Sequence, residues 1–146
     1  MLRTLAAVSL ATVSLAAVLT CCSAEVPVVP GPAPVEWVAG DTVPSGRQGV
    51  PDVEVLEVRA VGSGETCGTG RRATLAYRAM RVSGEVLDPG ERPFSFRVGS
   101  GRAIPGWDLM VSRMCVGDSL VVRIPEGLAY PGEGDLRFEM KLLEVR

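Results

Sequence analysis

Few side chains in this 146-residue chain could make or break bonds. There is no histidine, which excludes His-dependent triads and dyads and every zinc site that needs imidazole. Beyond the N-terminal segment the thiols are Cys67 and Cys115. They form no C-x-x-C and have no His to activate either sulfur, so a catalytic thiol pair is not expected. The carboxylates are scattered one at a time, with no cage of oxygen ligands visible, so no metal is expected. Gly99-Ser100-Gly101 is no phosphate cradle, because no Gly-Lys-Ser/Thr follows and no strand-then-helix dinucleotide unit surrounds it. No cofactor is implied. What remains are two Trp, two Tyr and three Phe, scarce enough that each position matters. Tyr77, Phe94, Trp107, Tyr130 and Phe138 stand out, although taken singly each also suits the core of a sheet packed on a helix.

The elements that would carry these rings follow from periodicity. Val53, Val55 and Ala60-Val61 flank charged Glu54, Glu57 and Arg59 in a strand-like run closed by Gly62-Ser63-Gly64. Arg72 to Met80 reads as a second strand and Val86 to Asp88 as a short third, ended by Pro89-Gly90. Phe94, Phe96 and Val98 alternate in a fourth. Ile104 to Met114 is the one helical candidate, with Pro105 suited to a first turn and Trp107, Met110 and Val111 spaced three and four apart. Leu120 to Ile124 is a fifth strand. Leu136, Phe138, Met140 and Leu142 alternate with Arg137, Glu139 and Lys141 in the last. The fold class is therefore α+β, an antiparallel sheet with one helix on one face.

The N-terminus reads as an address. Met1-Leu2-Arg3 precedes an uncharged run from Leu5 to Thr20, too short to span a bilayer comfortably and long enough for a signal peptide. Leu19-Thr20-Cys21-Cys22 resembles a bacterial lipobox with Cys22 as the lipid anchor, and an ordinary signal-peptidase site is the alternative. Residues 1–21 are thus a lipoprotein-type signal peptide, 22–51 a Pro-rich tether and 52–146 the folded domain. The tether holds Pro27, Pro30, Pro32, Pro34, Pro44 and Pro51, and is not expected to enter a ladder. Trp37 within it either docks on the domain or lies in a loose linker. The expected location is the bacterial cell envelope, lipid-anchored to a membrane surface, or else secreted and soluble. In such an oxidising compartment Cys67 and Cys115 are expected to pair, a closure worth about 4 kcal/mol in the chain-entropy model. The other reading is two buried thiols. The net charge of −2, with no basic run, argues against nucleic acid.

Several motifs then fall in order. These are Ala73-Thr74-Leu75-Ala76-Tyr77, Leu87-Asp88, Pro93 through Gly101, Ile104-Pro105-Gly106-Trp107-Asp108, Met114-Cys115-Val116-Gly117, Ile124-Pro125, Leu128-Ala129-Tyr130, Asp135-Leu136-Arg137-Phe138 and Leu142-Leu143-Glu144-Val145. From about Val53 onward the chain resembles the FKBP-type peptidyl-prolyl cis–trans isomerases in order and spacing. The resemblance implies an FKBP-like antiparallel sheet half-wrapped around one short helix, with a proline-sized apolar pocket between them. It implies Trp107 as the pocket floor, Tyr77, Phe94 and Phe138 as walls, and Leu87 and Ala103 at the wall and mouth. By the same likeness the Ile104 N–H and the Tyr130 hydroxyl bond ligand carbonyls, and Asp88 sits at the rim; Tyr77, Asp88 and Tyr130 are the catalytic set.

Such a site suits the residues present. Rotation about X-Pro opposes a barrier of about 18–20 kcal/mol but breaks no bond, so neither a nucleophile nor an acid–base pair is needed. The planar amide is more dipolar than its twisted transition state, so a dry pocket that holds the ring disfavours the ground state. The departures from the family are Leu87 where Phe is usual, Ala103 where Val is common, and a shortened flap, since Pro131-Gly132-Glu133-Gly134 leads almost at once into the last strand. The expected function is an isomerase that assists folding of exported proteins. The alternative is a proline-binding or chaperone module with weak or no turnover. Expected partners are X-Pro-containing unfolded polypeptides, macrolide inhibitors and the membrane through the lipid, with the protein itself a monomer.

Overall fold

Alternation of apolar and polar residues decides the sheet. The computed structural model describes residues 33–146; the signal segment, Cys22 and the first part of the tether lie outside the described residues. Seven strands form one antiparallel sheet. They are β1 (Thr42–Val43), β2 (Val53–Ala60), β3 (Arg72–Arg81), β4 (Val86–Asp88), β5 (Phe94–Arg97), β6 (Ser119–Ile124) and β7 (Leu136–Val145). The order across the sheet is β1-β2-β6-β7-β3-β4, with β5 also on β3. Among the described residues the single α-helix, α1, spans Pro105–Val111, and a 3₁₀ turn follows β6 at Glu126–Leu128. This is the architecture expected from the sequence.

One face of the sheet is the core. Along β7, Leu136, Phe138, Met140 and Leu142 are buried while Lys141 is exposed between them. Opposite them the register aligns Leu120, Val122 and Ile124 of β6, paired with Met140, Phe138 and Leu136. Residues paired across neighbouring strands share a face, so these side chains point the same way. Trp107, Met110 and Val111 of α1 close over that face.

Two differences from the sequence reading have physical causes. The helix stops at Val111 rather than Met114. Its last turn tightens, with Arg113 N–H donating to the Met110 carbonyl and Met114 N–H to that of Val111, which frees Met114 for the core. The Pro-rich segment, expected to stay out of any ladder, contributes β1, which pairs with β2 in the register Thr42↔Glu54 and Val43↔Val53. The pairing ends before Pro44 and lies at the sheet edge, the one place where proline's missing donor is tolerated. Trp37 and Val43 are both buried in the common core, so from Trp37 onward this segment is docked on the domain.

The outer edge of β3 is shared. Its far half pairs with β4 (Ala79↔Asp88, Met80↔Val86) and its near half with β5 (Leu75↔Phe94, Ala73↔Phe96). Between them the chain leaves the edge at Pro89-Gly90. Gly90 has φ +63 and lies so close to the Tyr77 carbonyl that a side chain there would overlap it. This break in the edge is what brings Asp88 beside Tyr77.

Candidate active site

The centre of the site is Trp107, at the start of α1. Pro105 presets the first helical turn, and Ile104 before it is extended at φ −61, ψ 146. Gly106 lets the helix lie flush on β6, because a Cβ there would strike the Ile124 side chain. Trp107 is thereby lowered onto the sheet to 5% exposure. Four rings surround it, with centroids at 4.8 Å (Tyr77), 5.7 Å (Phe138), 5.8 Å (Phe94) and 5.9 Å (Phe96). Three of the pairs are edge-to-face, the arrangement that sets a positive ring edge against a negative face. The buried indole N–H of Trp107 has no acceptor among the described residues.

The polar rim is built on the break in the β3 edge. The Tyr77 hydroxyl donates to Asp88 Oδ2 at 2.5 Å, and the Gly90 N–H donates to Asp88 Oδ1 at 2.9 Å. The bond to the Asp88 carboxylate, helped by burial and by the Asp88 charge itself, pushes the Tyr77 phenol up to about 12. The same Tyr77 bond, with that of Gly90, holds Asp88 below the usual carboxylate range. The pair is thus a neutral phenol locked to a charged carboxylate, with both carboxylate oxygens engaged. Across the cleft the Ile104 N–H has no partner among the described residues, and Tyr130 is half exposed.

These groups bound a cleft of about 410 Å³ lined by Tyr77, Phe94, Arg102, Ala103, Ile104, Pro105, Trp107 and Tyr130. An adjoining cleft of about 630 Å³ shares Tyr77 and Tyr130 and adds Leu87, Asp88 and Phe138. The candidates picked from the sequence therefore divide. Tyr77, Phe94, Ala103, Ile104, Trp107 and Tyr130 meet at the first cleft, whereas Leu87, Asp88 and Phe138 border the second, with Phe138 reaching the first only through its edge contact to Trp107. Phe96 and Arg102 were missing from the candidate set. Phe96 was detectable, because it sits two residues from Phe94 on the same face of β5 and stacks on it at 5.8 Å. Arg102 carries no signal in the sequence that separates it from the other arginines.

The expected pairing of Cys67 with Cys115 is corrected, as both are free, buried thiols. Thr66 bridges to Cys115 across an antiparallel contact, with Thr66 Oγ1 and Cys115 Sγ 3.2 Å apart. Cys67, one residue on, therefore points to the other side and joins the core cluster, which Cys115 does not. Burial pushes the Cys67 thiol up to about 11, which leaves it unreactive. Cys22 lies outside the described residues.

A family model described as FKBP-type peptidyl-prolyl cis-trans isomerase matches residues 64–142, more than half of the chain. The chain belongs to that family. The FKBP-type match contains every site residue discussed above, from Tyr77 to Phe138. The chain is similar to FK506-binding protein 4 of Emericella nidulans, 32% identical in an alignment 114 positions long that covers 70% of this chain and 24% of that protein. FK506-binding protein 4 of Aspergillus fumigatus is 31% identical in an alignment 128 positions long that covers 80% of this chain and 26% of that one. The chain thus spans about a quarter of the length of these curated relatives. Among solved structures, FkpA from Escherichia coli superposes with a TM-score of 0.58 at 26% identity, over 70% of this chain and 54% of that one. A peptidyl-prolyl cis-trans isomerase from Pseudomonas syringae shares the FKBP fold at a TM-score of 0.57 and 24% identity, over 69% of this chain and 84% of that one.

Proposed function

We propose that this chain is a peptidyl-prolyl cis–trans isomerase that takes X-Pro segments of exported polypeptides into the Trp107 cleft. The observation that carries the reading is the Trp107 floor, ringed by four aromatic side chains, in a cleft also lined by Ile104, whose N–H has no partner among the described residues. A pyrrolidine ring on the indole would be held by apolar contact on several sides. The Ile104 N–H and the Tyr130 hydroxyl would anchor neighbouring carbonyls. The amide between them would then be free to turn in a water-poor site that stabilises its planar, dipolar form less than water does. Asp88, fixed by Tyr77 and Gly90, contributes an oriented negative charge at the rim and keeps the Tyr77 ring in place. No proton leaves Tyr77 in this mechanism, consistent with its raised pKa.

The same proposal places the protein in the bacterial cell envelope, tethered through a lipid on Cys22, with secretion as a soluble protein as the alternative. Radiolabelled palmitate incorporated by the native protein and lost in Cys22→Ala supports the anchor; no label in either overturns it. The catalytic reading is tested with Ala-Leu-Pro-Phe-type peptides. Acceleration of the cis-to-trans step, abolished by a macrolide inhibitor, is expected. A second reading, a proline-binding module without turnover, is favoured by the exposure of Tyr130 (51%), Phe94 (39%) and Leu87 (37%), which leaves the cleft wetter. Macrolide binding without acceleration would select it.

A further inference from the structure

A third cleft, of about 540 Å³, opens beside the first and shares Phe94 and Arg102 with it. Arg72 and Arg97 line it with Arg102, together with Ser95 and Ser100, and no carboxylate is among its lining residues. The three arginines differ from five of the other ten among the described residues. Arg59, Arg71, Arg81, Arg123 and Arg146 are each in an ion pair with a glutamate or aspartate. Arg72, Arg97 and Arg102 have no acidic partner among the described residues, and Arg97 donates only to the Gly70 carbonyl at 2.8 Å. Glu65 is paired with Arg71 and Glu144 Oε1 is 2.7 Å from Arg146 Nε, while Asp108 takes the Gly99 N–H at 2.7 Å on Oδ1 and is in no ion pair among the described residues. On a chain of net charge −2, three uncompensated guanidinium groups in one cleft form a local positive field.

The opposite flank carries the other sign. The cleft on the Tyr77–Tyr130 side is lined by Asp88 and Glu133, with Arg81 the one cation, itself paired to Glu85 and Glu133. A polypeptide whose proline occupies the Trp107 cleft must continue out along both flanks, at about 3.3 Å per residue when extended. We propose that the Arg72–Arg97–Arg102 cleft is a substrate subsite for an acidic side chain, Asp or Glu, close in sequence to the proline. Guanidinium groups suit this role because their planar fork matches a carboxylate in two parallel hydrogen bonds. The inference rests on the isomerase reading above and adds a charge preference to it.

The test uses the full chain and proline peptides in matched pairs, with Glu or Gln at each flanking position in turn, followed by exchange NMR for turnover and calorimetry for binding. The Glu peptide is expected to exceed its Gln partner about three- to fivefold in kcat/KM and in affinity at one position or two adjacent ones, the size of exposed ion pairs. The preference should fade on raising the salt toward 1 M. Arg72→Gln should halve the Glu/Gln ratio or more and leave turnover of the Gln peptide unchanged. Arg102→Gln should abolish the ratio. Equal kcat/KM for Glu and Gln peptides at every position, with turnover intact, overturns the subsite and leaves the isomerase reading standing. Absence of turnover on every peptide overturns the isomerase reading instead. In that case the calorimetric Glu/Gln ratio still decides the subsite, and equal affinities overturn it.

Discussion

The two tryptophans of this molecule are both buried, at 4% and 5% exposure, yet they occupy opposite kinds of place. Trp37 arrives from the Pro-rich segment and donates its indole N–H to Asp118 Oδ2 at 3.0 Å. Asp118, itself 1% exposed, also accepts the Cys115 N–H at 2.7 Å and, on its other oxygen, the Gly62 N–H at 2.6 Å. A single carboxylate thus ties the incoming segment, the turn before β6 and the loop after β2 into one knot. Trp107 has the reverse arrangement, with aromatic neighbours on several sides and a buried N–H that bonds to nothing among the described residues. A buried donor without a partner costs about 1–3 kcal/mol. Trp37 is placed to hold the fold together. Trp107 is placed to present an aromatic face, and its polar atom is left unpaired there. A site that gains by being dry cannot be lined with the acceptors that would satisfy its own floor.

Breaking the knot should have the largest effect. Asp118→Ala leaves three donors without their acceptor, and a loss of about 3 kcal/mol is expected from the urea midpoint. Peptide turnover per folded molecule should not change. A fall in turnover larger than the fall in folded fraction would mean that the two regions are coupled.

Trp107→Leu attacks the other end of the comparison. It removes the pocket floor but breaks no hydrogen bond, so about 2 kcal/mol of stability should be lost through the cavity while kcat/KM falls at least about tenfold. Retained turnover in this variant would remove the floor from the mechanism. Trp37→Phe should cost only about 1 kcal/mol, because one donor to Asp118 is lost while the other two remain, and turnover should again be untouched.

How far the sequence revealed these two regions differs as well. The strands were legible because alternation such as Leu136-Phe138-Met140-Leu142 is a local pattern. The aromatic positions of the cleft were legible through their order along the chain, although nothing local brings Tyr77 of β3 to Trp107 of α1. The Trp37 knot was not legible. Its bond spans 81 residues, and a proline-rich stretch gives no period that announces docking. The cysteines misled for a related reason. Parity and compartment say that two thiols remain, but only the register at Thr66↔Cys115 shows that they point apart. The helix end was overestimated because Ser112-Arg113-Met114 offers no Gly or Asn to mark a stop before Gly117.

The smallest expected effect concerns pH, and it compares the two carboxylates that go with the two tryptophans. Asp88, unlike Asp118, is at the rim, where Tyr77 and Gly90 hold it ionised below the usual carboxylate range. A depressed folded pKa gives a contribution to stability that is complete above the unfolded value, about 3.9, and is lost only as the pH falls through the lower folded value. Turnover that depends on this charge should therefore persist to lower pH than the titration of a free Asp would allow. Tyr77 behaves with the opposite sense. Its raised pKa stabilises the fold fully below the unfolded value of about 10, and that contribution is lost as the pH rises toward about 12. Replacing Asp88 by Asn removes the charge that holds the phenol proton, so tyrosinate absorbance should show Tyr77 titrating lower than in the native protein. A native Tyr77 that ionises near its ordinary value, or one unmoved by Asp88→Asn, would show that the carboxylate does not position the ring. The rim would then be no more built than any other exposed edge of the sheet.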